Sequence, residues 1–207
     1  MREIDCIKQQ KRYFSYMIEN SRGEQTKVVV REEYLLNQYY ECVKRISKKY
    51  TQFKGGFLGD GIDSVTNRAT HLILATVENR NTVVGYCVLE EGCYSTKENE
   101  KDLHVLQIAV DPKYTGKGVG KAMMGYIEHH CKGFKYITAE ANNNNKISKA
   151  LFTNLGYKAK QLKNHNQTLF AKNMTKNHEL HITRPLLLAP QKFTPQQEGF
   201  YARGFYE

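Results

Sequence analysis

The chain has 207 residues, 40% hydrophobic and 25% charged, which suits one soluble domain with a sizeable core plus short extensions. No apolar run approaches the roughly 18 residues of a membrane span, and the start, MREIDCIKQQKR, lacks the apolar h-region of a secretory signal. The net charge of +10 favours polyanionic ligands, although a solvated lysine-rich surface explains it equally without nucleic acid.

Residues 1–20 carry Ile4, Ile7, Phe14, Met17 and Ile18 in a weak helical pattern that breaks at Arg22 and Gly23. This predicts an N-terminal extension, residues 1–25, with helical character. Residues 27–30 (KVVV) read as a first strand. Residues 32–50 predict a helix whose apolar stripe is Leu36, Tyr39, Tyr40, Val43, Ile46 and Tyr50. Lys44, Arg45, Lys48 and Lys49 crowd its C-terminal end, where the helix dipole favours cations. Residues 53–67, with Gly55, Gly56, Gly59 and Gly61, predict a flexible loop. Residues 71–77 and 82–89 predict strands joined by an asparagine-rich turn at 78–81. A polar loop follows over 90–102. Five scattered cysteines (Cys6, Cys42, Cys87, Cys93, Cys131) form no Cys-x-x-Cys. They indicate neither a zinc site nor a disulfide framework, and they fit reduced thiols in a cytoplasm.

The next stretch organises the rest. An apolar run at 103–110 (LHVLQIAV) reads as a strand, and DPKYTGKGVGK follows at 111–121. Val119, Ala122, Met123, Tyr126 and Ile127 then fall at helical spacing. A strand feeding a glycine-rich turn into a helix N-terminus binds anions. The first helical N–H groups lack intrahelical partners, the dipole is positive there, and glycine lets backbone approach a phosphate. Lys113, Lys117 and Lys121 add charge. The spacing is not that of a Walker A loop: three residues separate Gly116 from Gly120, and Ala122 follows Lys121 where a magnesium-binding hydroxyl is required. Nor is it a dinucleotide fingerprint, whose last glycine would fall at Lys121 or Met123.

Residues 136–140 (YITAE) predict another strand, and Asn144 or Asn145 caps a helix with Ile147, Ala150, Leu151 and Leu155 as its buried face, ended by Gly156. Residues 168–172 give a last strand, so the fold class is mixed α/β. Residues 174–207 form a C-terminal extension or arm. Residues 180–189 suit an edge strand, limited by Pro185. A Gly-Phe-Tyr repeat at 199–201 and 204–206 suits either an aromatic-basic surface or a tail that packs on the domain or crosses to a mate in a homodimer.

Two segments together resemble the GNAT superfamily of N-acetyltransferases over about residues 26–172. TGKGVG at 115–120 is similar to the family's acetyl-CoA pyrophosphate loop, with Thr115 where an Arg or Gln usually stands. NKISKALFTNLGY at 145–157 resembles its later motif. The resemblance implies an acetyltransferase domain at 26–173, with a mostly antiparallel sheet in which two parallel strands splay apart around acetyl-CoA. It implies that backbone groups of Ile108 and Val110 bond the pantetheine arm and the thioester carbonyl. Thr115, Gly116, Lys117, Gly118, Val119, Gly120 and Lys121 would cradle the pyrophosphate, and Asn145 would bond the pantetheine side. The expected base is Glu140, five residues before Asn145; Gln107, His104 and Glu90 are fallbacks. Phe152 stands beside the cofactor in the slot of the family's tyrosine and has no proton to give. The function implied is acetyl transfer to a primary amine, without a metal. The acceptor (small molecule, protein or aminoacyl-tRNA) is not legible. A coenzyme A- or RNA-binding protein without efficient transfer stays open beside it.

Overall fold

The computed structural model describes residues 13–19, 23–33, 36–50, 62–77, 82–94, 101–162 and 166–175. The described strands are β1 (Tyr13–Glu19), β2 (Gln25–Glu33), β3 (His71–Val77), β4 (Thr82–Glu91), β5 (Asp102–Val110), β6 (Tyr136–Asn142), β7 (Lys158–Gln161) and β8 (Gln167–Asn173). The helices are α1 (Leu36–Lys48), α2 (Ile62–Arg68), α3 (Val119–His130) and α4 (Lys146–Asn154). One sheet runs in the order β1-β2-β3-β4-β5-β6-β8-β7. Every pairing is antiparallel except that of β5 with β6. The expected mixed α/β fold with a largely antiparallel sheet is therefore present.

Alternation places two cores on the two faces. Val28, Val30, Ile73 and Ala75 pack with Met123, Ile127 and Phe152 of α3 and α4. Leu72, Leu74, Val88 and Ala109 pack on the other face with Val43 and Ile46 of α1 and Ile62 and Val65 of α2. At one end of the sheet, His71 bridges Glu32 of β2 (2.6 Å) and Glu91 of β4 (2.9 Å).

Several expectations need correction. Where a helix is predicted before residue 20, residues 13–19 form an edge strand, because Phe14, Tyr16 and Ile18 alternate and Ile18 is buried. Glu32 and Glu33 belong to β2, so the first helix starts later than predicted. The predicted loop contains α2, which buries Ile62, Val65 and Thr66. On α4, Phe152 is the buried residue, whereas Ile147 is 69% exposed. The turn at 78–81, the glycines at 55–61, residues 180–189 and the Gly-Phe-Tyr repeat lie outside the described residues. No helix among the described residues is long and apolar enough to cross a membrane.

Candidate functional site

The parallel pairing of β5 with β6 is four residues long. It runs from Asp102 opposite Tyr136 to Val105 opposite Ala139 and then stops, although both strands continue. The cause is local. The register between β4 and β5 jumps from Val88↔Gln107 to Leu89↔Val105, which leaves Leu106 as an extra residue. A bulge bends its strand and increases its twist, and this one follows the last residue that β6 pairs. Beyond it, Val110 lies opposite Gly85 while Asp111 N–H donates to the Val84 carbonyl (2.7 Å). That register turns the backbone groups of Ile108 and Val110 away from β4, toward the opening that β6 has left. The Val110 carbonyl accepts a hydrogen bond from the Tyr50 hydroxyl, so an incoming group there meets the Val110 N–H.

The glycine turn stands at the mouth of this opening. Asp111 caps a short 3-10 turn, Pro112–Tyr114, by accepting from Lys113 N–H. Its other oxygen accepts from Lys49 Nζ at 2.7 Å, with Arg45 at 3.7 Å. Burial raises the Asp111 pKa, but these cationic and N–H partners bring it below its ordinary value, so it stays ionised and ties the end of α1 to the loop. Gly116 and Gly118 have φ of 80° and 82°, the left-handed region that side chains avoid. Gly118 is the N-cap of α3 and uses no side chain to satisfy the helix. No side chain therefore caps the first N–H groups of α3. Thr115, Gly116, Gly118 and Lys121 are exposed, and Lys117 lies over the Tyr114 ring. Val119 is different: its side chain is core, and only its backbone is placed to bind. Asn145 Oδ1 caps α4 by accepting from Ser148 N–H at 3.0 Å.

Glu140 lies on β6 just past the last parallel pair, on the face that carries α1 and α2. Burial raises its carboxyl to about 7. The alternative bases are otherwise engaged. Glu90 meets burial, which raises its pKa, but Arg68 at 2.6 Å and the Cys93 thiol at 3.0 Å bring it below its ordinary value. Burial pushes His104 down to about 4, and its Nδ1 lies 2.9 Å from Thr138 Oγ1. Gln107 accepts from the Tyr86 hydroxyl at 2.6 Å. Phe152 is 1% exposed, between the rings of Tyr157 and Phe170. One residue of this region has no sequence signal: Tyr94, whose hydroxyl donates to Glu140 Oε1. It sits in a polar stretch without period or motif. Among the described residues no group of three His, Cys, Asp or Glu side chains is placed to hold a metal.

Residues 30–157 match the family described as Acetyltransferase (GNAT) family. The chain belongs to the GNAT acetyltransferase family. No curated protein matches the sequence. Solved structures share the GNAT fold at low identity. A putative GNAT acetyltransferase from Desulfovibrio desulfuricans is 18% identical, with a TM-score of 0.54 over 72% of this chain and 99% of that one. The ribosomal-protein-S18-alanine N-acetyltransferase of Escherichia coli is 14% identical, with a TM-score of 0.51 over 72% and 97%. Arabidopsis thaliana Naa50, solved with the bisubstrate analogue CoA-Ac-MVNAL, is 14% identical, with a TM-score of 0.54 over 70% and 98%. At these identities the likeness concerns the fold. The unzipped β5–β6 pair and the α3 turn are the geometry of the candidate site in this GNAT family member.

Proposed function

We propose that the chain is an acetyl-CoA-dependent N-acetyltransferase that moves an acetyl group directly to a primary amine. The observation that carries this reading is the opening between β5 and β6, with an anion-binding helix start at its mouth and a carboxyl titrating near neutral pH on its flank. Acetyl-CoA, when bound, supplies the acyl group as an activated thioester. The backbone from Thr115 to Lys121 holds the pyrophosphate, aided by Lys117 and Lys121. Backbone groups of Ile108 and Val110 hold the pantetheine arm, and N–H donors there stabilise charge growing on the carbonyl oxygen. Asn145 borders the arm. Glu140 removes the proton from the attacking amine, a task that suits a base titrating near the working pH. Phe152, enclosed in the core, takes no part in proton transfer, and solvent protonates the departing sulfur. Such an enzyme would work in the cytoplasm.

The test is thiol release from acetyl-CoA against protein N-termini, small amines and aminoacyl-tRNA, with calorimetry of acetyl-CoA binding. Release with one acceptor class is expected. Glu140→Gln should lower turnover by about 10²–10⁴-fold with little change in affinity. Bulky replacement of Gly118 and Gly120 should abolish binding. The competing reading is a GNAT-fold protein that holds coenzyme A or RNA without efficient transfer, and the missing hydroxyl at Phe152 favours it. Binding without release for any acceptor would select that reading. Unchanged affinity in the double glycine variant would remove the glycine turn as the coenzyme A site, on which the leading reading rests.

A further inference from the structure

Residues 92–94, which follow β4, are each tied to neighbouring groups. The Cys93 thiol donates to Glu90 Oε2, Gly92 N–H donates to the Asp102 carbonyl at 2.9 Å, and Tyr94 N–H donates to both oxygens of the buried Asp102 carboxylate at 3.1 Å. With its backbone clamped, Tyr94 has two side-chain torsions left, and packing fixes them. The ring is buried with Leu162 and Leu169 and tilts against His104 at 4.9 Å. The hydroxyl that emerges from this packing donates to Glu140 Oε1.

We propose that Tyr94 is the positioning residue of the Glu140 carboxylate: it fixes Oε1 and directs Oε2 to the acceptor amine. The assignment rests on the reading of Glu140 as the base. Tyr94 keeps its own proton throughout. The amine proton passes to Oε2 as the N–C bond forms, the C–S bond breaks, and sulfur leaves with the electron pair.

The hydrogen bond also bears on charge. Burial alone opposes ionisation of Glu140, whereas a donor on the carboxylate favours it. Among the described residues, the titratable side chains that neighbouring elements place near Glu140 on that face include Asp102 and His104 of β5, Glu90 of β4, Arg68 of α2, and Lys158 and Lys160 of β7. Glu90 and Arg68 pair with one another, the two lysines are exposed, and Asp102 is turned to the Tyr94 backbone. His104 is neutral at physiological pH. Tyr94 is thus a hydrogen-bond donor that the fold supplies to this carboxyl.

The test is Tyr94→Phe, which keeps the ring and its packing. Tyr94→Leu, also apolar and without the hydroxyl, is the second variant should the first fail to fold. One readout needs no turnover: the Glu140 titration in the free protein, followed by carbon-13 NMR of glutamate-labelled chain and assigned by its loss in Glu140→Gln. Its midpoint should rise by about one pH unit, the size expected when a hydrogen bond to a charged group is lost. The second readout is turnover against pH. The acid limb should move up by the same amount, with kcat at pH 7 falling about fivefold and KM for acetyl-CoA within about twofold. Tyr94→Phe added to Glu140→Gln should slow the enzyme no further. An unmoved Glu140 midpoint in an active enzyme overturns the role of Tyr94 and leaves that of Glu140 standing. A parent acid limb that does not follow the Glu140 midpoint overturns Glu140 as the base, and this proposal with it.

Discussion

At the scale of single residues, position on the sheet decides chemistry. Glu140 and Phe152 lie twelve positions apart, and the family motif proposes both for the site. Glu140 stands where a strand has lost its neighbour, while Phe152 stands in an aromatic cluster. A hydroxyl added at Phe152 would enter a closed apolar environment. Phe152→Tyr should cost about 1–3 kcal/mol in urea denaturation, the penalty for a buried polar group without a partner. It should leave the transfer rate flat, whereas a rate increase would restore this position to the proton path. Glu140 is a candidate from the sequence because it precedes Asn145 by five residues in a recognisable motif. Tyr94 is not, because its role comes from a long-range contact with β6, and no local pattern encodes that contact.

At the scale of elements, strong periodicity was legible and weak burial was not. Strand β5 and helix α3 appear where the apolar run and the helical spacing put them. The seven-residue α2 was hidden by its glycine-rich approach and its short apolar face. Strand β7 is KAKQ with all four residues exposed, so it exists through backbone pairing to β8 and leaves no apolar signature. The face of α4 was misread for a geometric reason. Ile147 and Phe152 are five residues apart, about 140° around a helix at roughly 100° per residue, so burying Phe152 turns Ile147 outward. Gly85 on β4 sets the seat of α3. A Cβ there would lie 3.1 Å from both Met123 Cε and Val119 Cγ1 and 3.2 Å from the Ala109 carbonyl oxygen. The methionine end can yield, but a branched side chain and a backbone oxygen cannot easily follow. Gly85→Ala should therefore lose about 1–3 kcal/mol of stability through overpacking. Because Val119 is the first residue of α3, the same variant should weaken acetyl-CoA binding by calorimetry.

At the scale of the whole molecule, two groups among the described residues make stability fall as pH rises through the neutral range. Hydrogen bonding to Glu32 raises the His71 pKa, burial opposes it, and Glu91 adds to the rise. A raised histidine contributes stability that is fully present below its unfolded value of about 6.5 and lost as pH climbs through the higher folded value. Glu140, raised by burial from 4.5 to about 7, acts in the same sense: its contribution is present below about 4.5 and gone above 7. These two groups should make thermal melts decline from about pH 5 upward, and His71→Gln should flatten the decline above about pH 6.5; an unchanged slope would remove His71 from the account. The short seam between β5 and β6 has a consequence of another kind. Where it opens, the sheet carries edges in its own interior, and unpaired edges are templates for a foreign strand. Tyr50 already covers the carbonyl of Val110, one of the exposed ladder groups. A ligand lodged in the seam covers more of them. On the proposed reading, a bound cosubstrate would close this interior edge to a foreign strand.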